Sequence, residues 1–224
     1  MSIMKVGVLY SGGKDSNLAL YYASKLYDVK CLITIIPKSS ESMLFHYPNS
    51  ELVKLQSEAL GIPLVYDYSE DDEERQMRVL KDLLSKAREE YGIKGVFTGA
   101  IKSSYQFDRF KRIFEELGLQ IIAPLWQKDE EEIIKEILEL GFEVIVTRIA
   151  IYPFEEKFLG RKIDEEFLEY LKRARANLVG EGGEYETFVL YMPLFKKRIR
   201  IIEAEKRILG SYEGEYIIKK AVLE

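Results

Sequence analysis

Val8-Leu9-Tyr10-Ser11-Gly12-Gly13-Lys14-Asp15-Ser16 passes from an apolar strand, through two glycines, into a run with helical spacing. Glycines let the backbone turn sharply and approach a ligand with no Cβ in the way. Successive N–H groups of such a turn point inward and form a nest for anionic oxygens. The helix that follows adds its unpaired N-terminal N–H groups and the positive end of its dipole. Ser11 and Ser16 contribute hydroxyls, and Lys14 a mobile positive charge. The spacing is not that of the usual P-loop, which needs Gly, four residues, then Gly-Lys and Ser or Thr. Gly7 and Gly12 have that separation, but Gly13 follows and Lys14 precedes Asp15. A carboxylate beside a phosphate site is unfavourable alone. It makes sense when Asp15 holds Mg²⁺, directly or through water, and the ion bridges to phosphate.

Outward from this loop, strand-like and helix-like segments alternate. Val6–Tyr10, Lys30–Ile36, Leu64–Tyr68, Gly95–Thr98 and Gln120–Ala123 are short apolar runs read as strands. Between them lie helical stretches from Asp15, over Glu51–Leu60, Asp71–Tyr91 and Tyr105–Leu117, with Gly61, Gly92 and Gly118 as stops. Leu18, Tyr22 and Leu26 form the expected buried face of the first helix; Leu80, Leu84, Ala87 and Tyr91 form that of the third. The rhythm predicts an α/β fold, a Rossmann-like parallel sheet with helices on both faces. Ligands of such sheets bind at the carboxyl ends of the strands. After Trp126 the pattern changes to a helix over Asp129–Leu140, a β-rich run over Glu143–Tyr152, a helix over Ile163–Ala174, and three further strands. We expect two domains, 1–124 and a smaller α+β domain over 125–224.

The 224 residues suffice for a real core, and the net charge is −5. An acidic balance disfavours stable nucleic-acid binding. Lys196, Lys197, Arg198 and Arg200 are the densest basic group and read as strand-edge or solvated charges. One cysteine, Cys31, and one histidine, His46, exclude an internal disulfide and a four-ligand Cys/His zinc site. Cys31 sits in an apolar run and reads as an inert core residue. No apolar run approaches the roughly 20 residues of a membrane span. Without a signal-peptide core at the start, a cytoplasmic location is the expectation.

Two more stretches carry chemistry. Gly180-Glu181-Gly182-Gly183-Glu184-Tyr185-Glu186-Thr187 sets glycines and carboxylates between a helix and a strand. Glu184 and Glu186 alternate as in an extended segment, so one cleft can receive both. They suit ammonium, a proton from it, or a cationic substrate. Thr98-Gly99-Ala100-Ile101 ends a strand facing the first loop; its small residues permit tight packing or approach to a nucleotide. Ser39, Ser40, Ser42 and His46 read equally as a polar loop or an adenosine contact.

Ser11-Gly12-Gly13-Lys14-Asp15-Ser16 resembles the PP-loop of the N-type ATP pyrophosphatases, of the adenine nucleotide alpha hydrolase-like fold. Thr98-Gly99-Ala100-Ile101 with Ser104, Tyr105, Gln106 and Arg109, Pro124-Leu125-Trp126, and the Gly180–Thr187 stretch are together similar to blocks of the diphthine–ammonia ligase family, in order and over most of the chain. The resemblance implies an ATP- and Mg²⁺-using ligase that amidates diphthine on translation elongation factor 2. It would proceed through an acyl-adenylate, with ammonia as nitrogen donor. It implies that residues 11–16 and 98–101 bind nucleotide. It places substrate at Tyr105, Gln106, Gly182, Gly183, Glu184, Tyr185, Glu186 and Thr187, with Lys14, Asp15, Glu184 and Glu186 catalytic. Competing readings are a tRNA-modifying enzyme and a non-catalytic nucleotide-binding module; a lone cysteine speaks against sulfur transfer. The sequence leaves homodimer formation open.

Overall fold

The computed structural model describes residues 3–38, 49–70, 72–100 and 104–224, and of 104–110 it describes the backbone. The first half runs β1 (Lys5–Leu9), α1 (Lys14–Leu26), β2 (Asp28–Pro37), α2 (Val53–Leu60), β3 (Leu64–Ser69), α3 (Glu73–Tyr91), β4 (Gly95–Phe97), α4 (Ser104–Leu117) and β5 (Gln120–Ile122). Its five strands are all parallel, in the order β3-β2-β1-β4-β5. The order reverses direction at β1 and β4, so the loops leaving these two strands open a crevice at the sheet's carboxyl edge. The first loop and the Thr98 loop are those two loops.

β2 shows why the sheet reads as continuous apolar runs. Cys31, Ile33 and Ile35 face α3, while Leu32 and Ile36 join the core beneath α1 and α2. Both faces of a central parallel strand are covered, so both need apolar side chains. Burial pushes the Cys31 thiol up to about 12, the behaviour of an inert core residue. Asp72 caps α3 by accepting from the Arg75 N–H at 2.8 Å.

The second half contains α5 (Glu130–Glu139), β6 (Glu143–Ala150), α6 (Glu165–Arg173), β7 (Tyr185–Tyr191), β8 (Ile199–Ile208) and β9 (Glu213–Leu223). Asp129 and Asp164 cap α5 and α6, accepting from Glu132 N–H at 3.0 Å and Phe167 N–H at 2.9 Å. Strands β7-β6-β9-β8 form a separate antiparallel sheet. One hydrophobic core runs from Val6 and Leu18 through Ile133, Val146 and Phe167, so both sheets share it.

The expected buried face of α1 is corrected by this arrangement. Leu18 is buried, but Leu26 is 76% exposed and Ala19, Leu20 and Ala23 are inside. The amino-terminal half of α1 is enclosed between both sheets and buries nearly every direction. Its last turn emerges into solvent, where helical spacing no longer reports burial.

Candidate active site

The first loop is fastened by its own side chains. Asn17 donates to the carbonyl oxygens of Gly13 at 2.9 Å and Gly12 at 3.2 Å. The buried Tyr10 hydroxyl donates to Asn17 Oδ1 at 2.9 Å. Ser16 Oγ accepts from the Ser11 N–H, and Ser11 Oγ from the Gly13 N–H, both at 3.3 Å. These two bonds are long against the usual 2.9–3.0 Å or so for N–H···O. The nest thus holds hydroxyl oxygens loosely where a stronger anionic acceptor fits.

The loop is also docked on the outer edge of the second sheet. β7 is an edge strand, and its free side meets the loop rather than water. The Val189 N–H donates to Gly12 O at 3.0 Å, and the Lys14 N–H donates to Thr187 Oγ1 at 3.1 Å. Buried Gln56 on α2 ties the two together, donating to Gly12 O and Val189 O, both at 2.9 Å. Gly12 has φ +84°, and a Cβ there would collide with the Gln56 carboxamide. An unpaired sheet edge is thereby covered.

Lys14 is not the mobile cation its position in the loop suggested. It is 2% exposed. Its ammonium pairs with Asp15 at 2.9 Å, donates to Val179 O, and lies 5.1 Å from the centre of the Tyr185 ring. An ammonium inside protein keeps its charge only with such partners. Asp15 itself stays partly open to solvent.

Tyr185 is the floor beneath this pair. Its ring packs edge-on against Phe167 at 5.1 Å and its hydroxyl donates to Leu178 O at 2.6 Å. Burial pushes its phenol well up, and the charges of Asp15, Glu184 and Glu130 add to the shift. With Lys14 near one side and Phe167 on another, the buried ring offers no open face to a substrate cation. Tyr185, expected as a substrate contact, is 3% exposed and supports the Lys14–Asp15 pair.

Glu184 lies on the turn before β7, where its Oε1 accepts from the Asn177 N–H at 3.3 Å while its buried Oε2 has no hydrogen-bond partner among the described residues. Gly180 and Gly183 take positive φ in this turn, and a Cβ at Gly180 would strike the Tyr185 ring and backbone. A Cβ at Gly182 would meet the Glu184 carboxylate at 2.7 Å. Glu186 takes a different partner, the Arg148 guanidinium on β6, at 3.4 Å. The two glutamates expected to share one cleft thus answer to separate neighbours, one on the loop and one on the sheet.

Thr98 and Ala100 form a small turn, with the Ala100 N–H donating to Thr98 Oγ1 at 3.3 Å. A Cβ on Gly99 would lie 2.7 Å from the Asp15 carbonyl carbon and the Ser16 nitrogen. Gly99 therefore lets the β4 loop press on the first turn of α1. Ile101, Ser39, Ser40, Ser42 and His46 lie outside the described residues. Tyr105, Gln106 and Arg109 fall on α4, whose backbone alone is described there.

Some residues that shape the site had weak signals in the sequence. Gln56 interrupts the buried stripe Val53, Ala59 and Leu60 of α2, and a polar residue on such a stripe marks a buried bond. Glu130 accepts from Asn177 Nδ2 at 2.8 Å and from the Leu178 N–H at 3.1 Å. It thereby fixes the turn whose carbonyl groups hold Lys14 and Tyr185. An acid in the first turn of a helix is too common to have singled it out.

No helix of the described residues is long and apolar enough to cross a membrane.

The same organisation is found in known proteins. Residues 4–121 match the diphthamide synthase N-terminal domain, and residues 129–223 match the diphthamide synthase C-terminal domain. A Schizosaccharomyces pombe diphthine–ammonia ligase is 32% identical over 99% of this chain, which spans 40% of that protein's length. The Rattus norvegicus diphthine–ammonia ligase is 32% identical, and the Homo sapiens one 30%, each over 94% of this chain and 87% of its own length. A 4-thiouridine synthetase–RNA complex with bound ATP is a distant structural likeness, at 23% identity and TM-score 0.44, covering 62% of this chain and 41% of that one. A docked PP-loop, the glycine–glutamate turn beside it and matches running nearly end to end agree: this chain belongs to the diphthine–ammonia ligase family.

Proposed function

We propose that this protein uses ATP to convert the carboxylate of diphthine on translation elongation factor 2 into an amide. Ammonia supplies the nitrogen, and diphthamide, AMP and pyrophosphate are the products. The observation that carries this reading is the bonding of the nucleotide loop to β7 through Thr187 and Val189. It joins the loop to the strand that carries Tyr185 and Glu186.

A carboxylate does not react readily with an amine, because it is anionic and its oxygen leaves poorly. Attack of the diphthine carboxylate oxygen on the α-phosphorus forms a P–O bond and breaks the bond to the bridging oxygen. Pyrophosphate leaves, and an acyl-adenylate remains. Ammonia then attacks the acyl carbon, the C–O bond to AMP breaks, and the amide forms.

The chain's part is to hold charge and position. The N–H groups and hydroxyls of Ser11, Gly12, Gly13 and Ser16 receive the pyrophosphate oxygens, replacing the two 3.3 Å hydroxyl contacts, while the Lys14 N–H stays on Thr187. Thr98, Gly99 and Ala100 border the nucleotide at the reversal point of the sheet. Glu184, Glu186, Gly182, Gly183 and Thr187 line the acceptor side.

Mg²⁺ fits this donor set. Among the described residues no three acids, histidines or cysteines gather as a metal cage. Mg²⁺ bound with nucleotide needs none, since one or two carboxylates, phosphate oxygens and waters complete its shell. Asp15, partly exposed at the nest, is the residue that would hold it. Its chemistry there is neutralisation of charge on the phosphates. Lys14 works from behind, fixing the Asp15 carboxylate.

The test uses elongation factor 2 bearing diphthine, with ATP, Mg²⁺ and ammonium, read by mass spectrometry of the factor. Acid-to-amide conversion that Asp15→Ala abolishes supports the reading. ATP consumption with the acid left intact overturns it.

A further inference from the structure

Three donors converge on the Gly12 carbonyl oxygen: Gln56 Nε2 at 2.9 Å, the Val189 N–H at 3.0 Å and Asn17 Nδ2 at 3.2 Å. A carbonyl oxygen has two lone pairs, so one of the three is surplus to pairing. The next carbonyl, that of Gly13, is held as firmly. It accepts from Asn17 Nδ2 at 2.9 Å, and from the Asn17 N–H and Ser16 Oγ, both at 3.2 Å. A peptide unit is planar and trans, so its N–H points opposite to its carbonyl. Fixing these two carbonyls therefore fixes two N–H groups. The Lys14 N–H is taken by Thr187 Oγ1 at 3.1 Å. The Gly13 N–H, among the described residues, meets only Ser11 Oγ at 3.3 Å, and is the one of the two left for an anion.

Gln56 is the member of this set that comes from outside the motif and from outside β7. It is fully buried on α2, and its Nε2 also donates to Val189 O at 2.9 Å. Both neighbours of Nε2 are carbonyl oxygens, so the NH₂ faces them and Oε1 faces away. Oε1 lies against Gly12, where a Cβ would collide with it, and among the described residues it has no hydrogen-bond partner. A buried acceptor left unpaired is costly. Gly12 O has two donors without Gln56, so pairing alone does not account for the bond between them. Direction does. Donors on a carbonyl polarise the whole peptide group, which strengthens its N–H as a donor and holds the plane in which that N–H points.

We propose that Gln56 is a positioning residue for pyrophosphate: it holds the Gly12–Gly13 peptide so that the Gly13 N–H faces the β- and γ-phosphate oxygens of ATP. This rests on the reading of the loop as the pyrophosphate nest and names the residue that aims it. Gln56 touches no phosphate itself. It acts through the Gly12 carbonyl, and its effect is confined to the part of the nucleotide that leaves as pyrophosphate. AMP lacks those two phosphates, so its affinity does not depend on Gln56.

The test is calorimetric titration with ATP and Mg²⁺, pyrophosphate and Mg²⁺, and AMP. If wild type binds neither ATP nor pyrophosphate, the nucleotide reading fails and the proposal falls with it. Given wild-type binding, Gln56→Met keeps the side chain's length and removes both donors. It is expected to weaken ATP and pyrophosphate about tenfold, the scale of one charge-assisted hydrogen bond set out of line, and to leave AMP within about twofold. A role in folding alone would weaken all three alike. Unchanged pyrophosphate affinity in folded Gln56→Met overturns the proposal, and so does an equal loss for AMP. Wild type gives a second reading that needs no variant. The Gly13 amide proton resonance should move downfield when pyrophosphate and Mg²⁺ are added, and not with AMP. A Gly13 resonance that pyrophosphate leaves in place overturns the proposal as well.

Discussion

The Thr187 hydroxyl accepts a hydrogen bond from the backbone N–H of Lys14 at 3.1 Å, joining residues 173 positions apart. The strand that carries the glycine–glutamate turn and the helix that begins at the nucleotide loop therefore move as one piece. Thr187→Val removes the acceptor, keeps the shape and leaves a half-buried N–H unpaired. It should cost about 1 kcal/mol of stability in urea unfolding and weaken ATP binding, while Thr187→Ser retains both. Equal ATP affinity in wild type and Thr187→Val would show that the bond does not align the loop.

Gly99 presses on the backbone of Asp15 and Ser16, where a Cβ would sit at 2.7 Å from main-chain atoms. Backbone cannot swing aside as a side chain can. Gly99→Ala should therefore cost about 1–3 kcal/mol and shift the first turn of α1, with a larger loss in ATP affinity than in melting temperature. Calorimetric titration with ATP reads the first quantity and a thermal melt the second.

Glu130 holds the Asn177–Leu178 turn with both carboxylate oxygens. Glu130→Gln leaves one acceptor where two donors wait, so one donor then faces an NH₂ group. The turn should loosen, and with it the carbonyl oxygens that fix Lys14 and Tyr185. We expect amide formation to fall about tenfold with stability reduced by about 1–2 kcal/mol. Faster hydrogen exchange at residues 177–180 is the signature of this route, and unchanged exchange would exclude it.

Glu215 on β9, 6% exposed, gives the stability of the fold a pH dependence. Burial chiefly raises its folded-state pKa above the ordinary carboxylate value. Its protonated form stabilises the fold fully below the unfolded value, and that contribution is lost as pH rises through the raised folded value. Relative to Glu215→Gln, wild type should lose melting temperature over that rise and then run parallel. Parallel curves throughout would show that Glu215 titrates as an ordinary carboxylate.

Much of the fold was legible because its signals are local. Alternating apolar runs and helix stops placed all five parallel strands, and Asp129 was readable as a cap from Glu132 three residues on. The loop motif was legible for the same reason: strand, glycines and helix start are contiguous. What stayed hidden depends on distance in sequence. The bond from Val189 to Gly12 crosses 177 positions, and no local pattern announces that β7 covers its edge with a loop. Lys14 looked mobile because its motif neighbours are small, whereas Val179, in the turn before β7, and Tyr185, at the start of β7, come from far along the chain. Glu184 and Glu186 alternate as read, but Glu184 precedes the strand, so their alternation did not give them common partners.

The central claim is that the loop of residues 11–16 directs cleavage between the α- and β-phosphates for amide synthesis. The nucleotide product formed during turnover with diphthine-bearing elongation factor 2, Mg²⁺ and ammonium tests it most directly. The account predicts AMP and pyrophosphate in equal amounts with the amide, all lost in Asp15→Ala. ADP and phosphate as the products would contradict it.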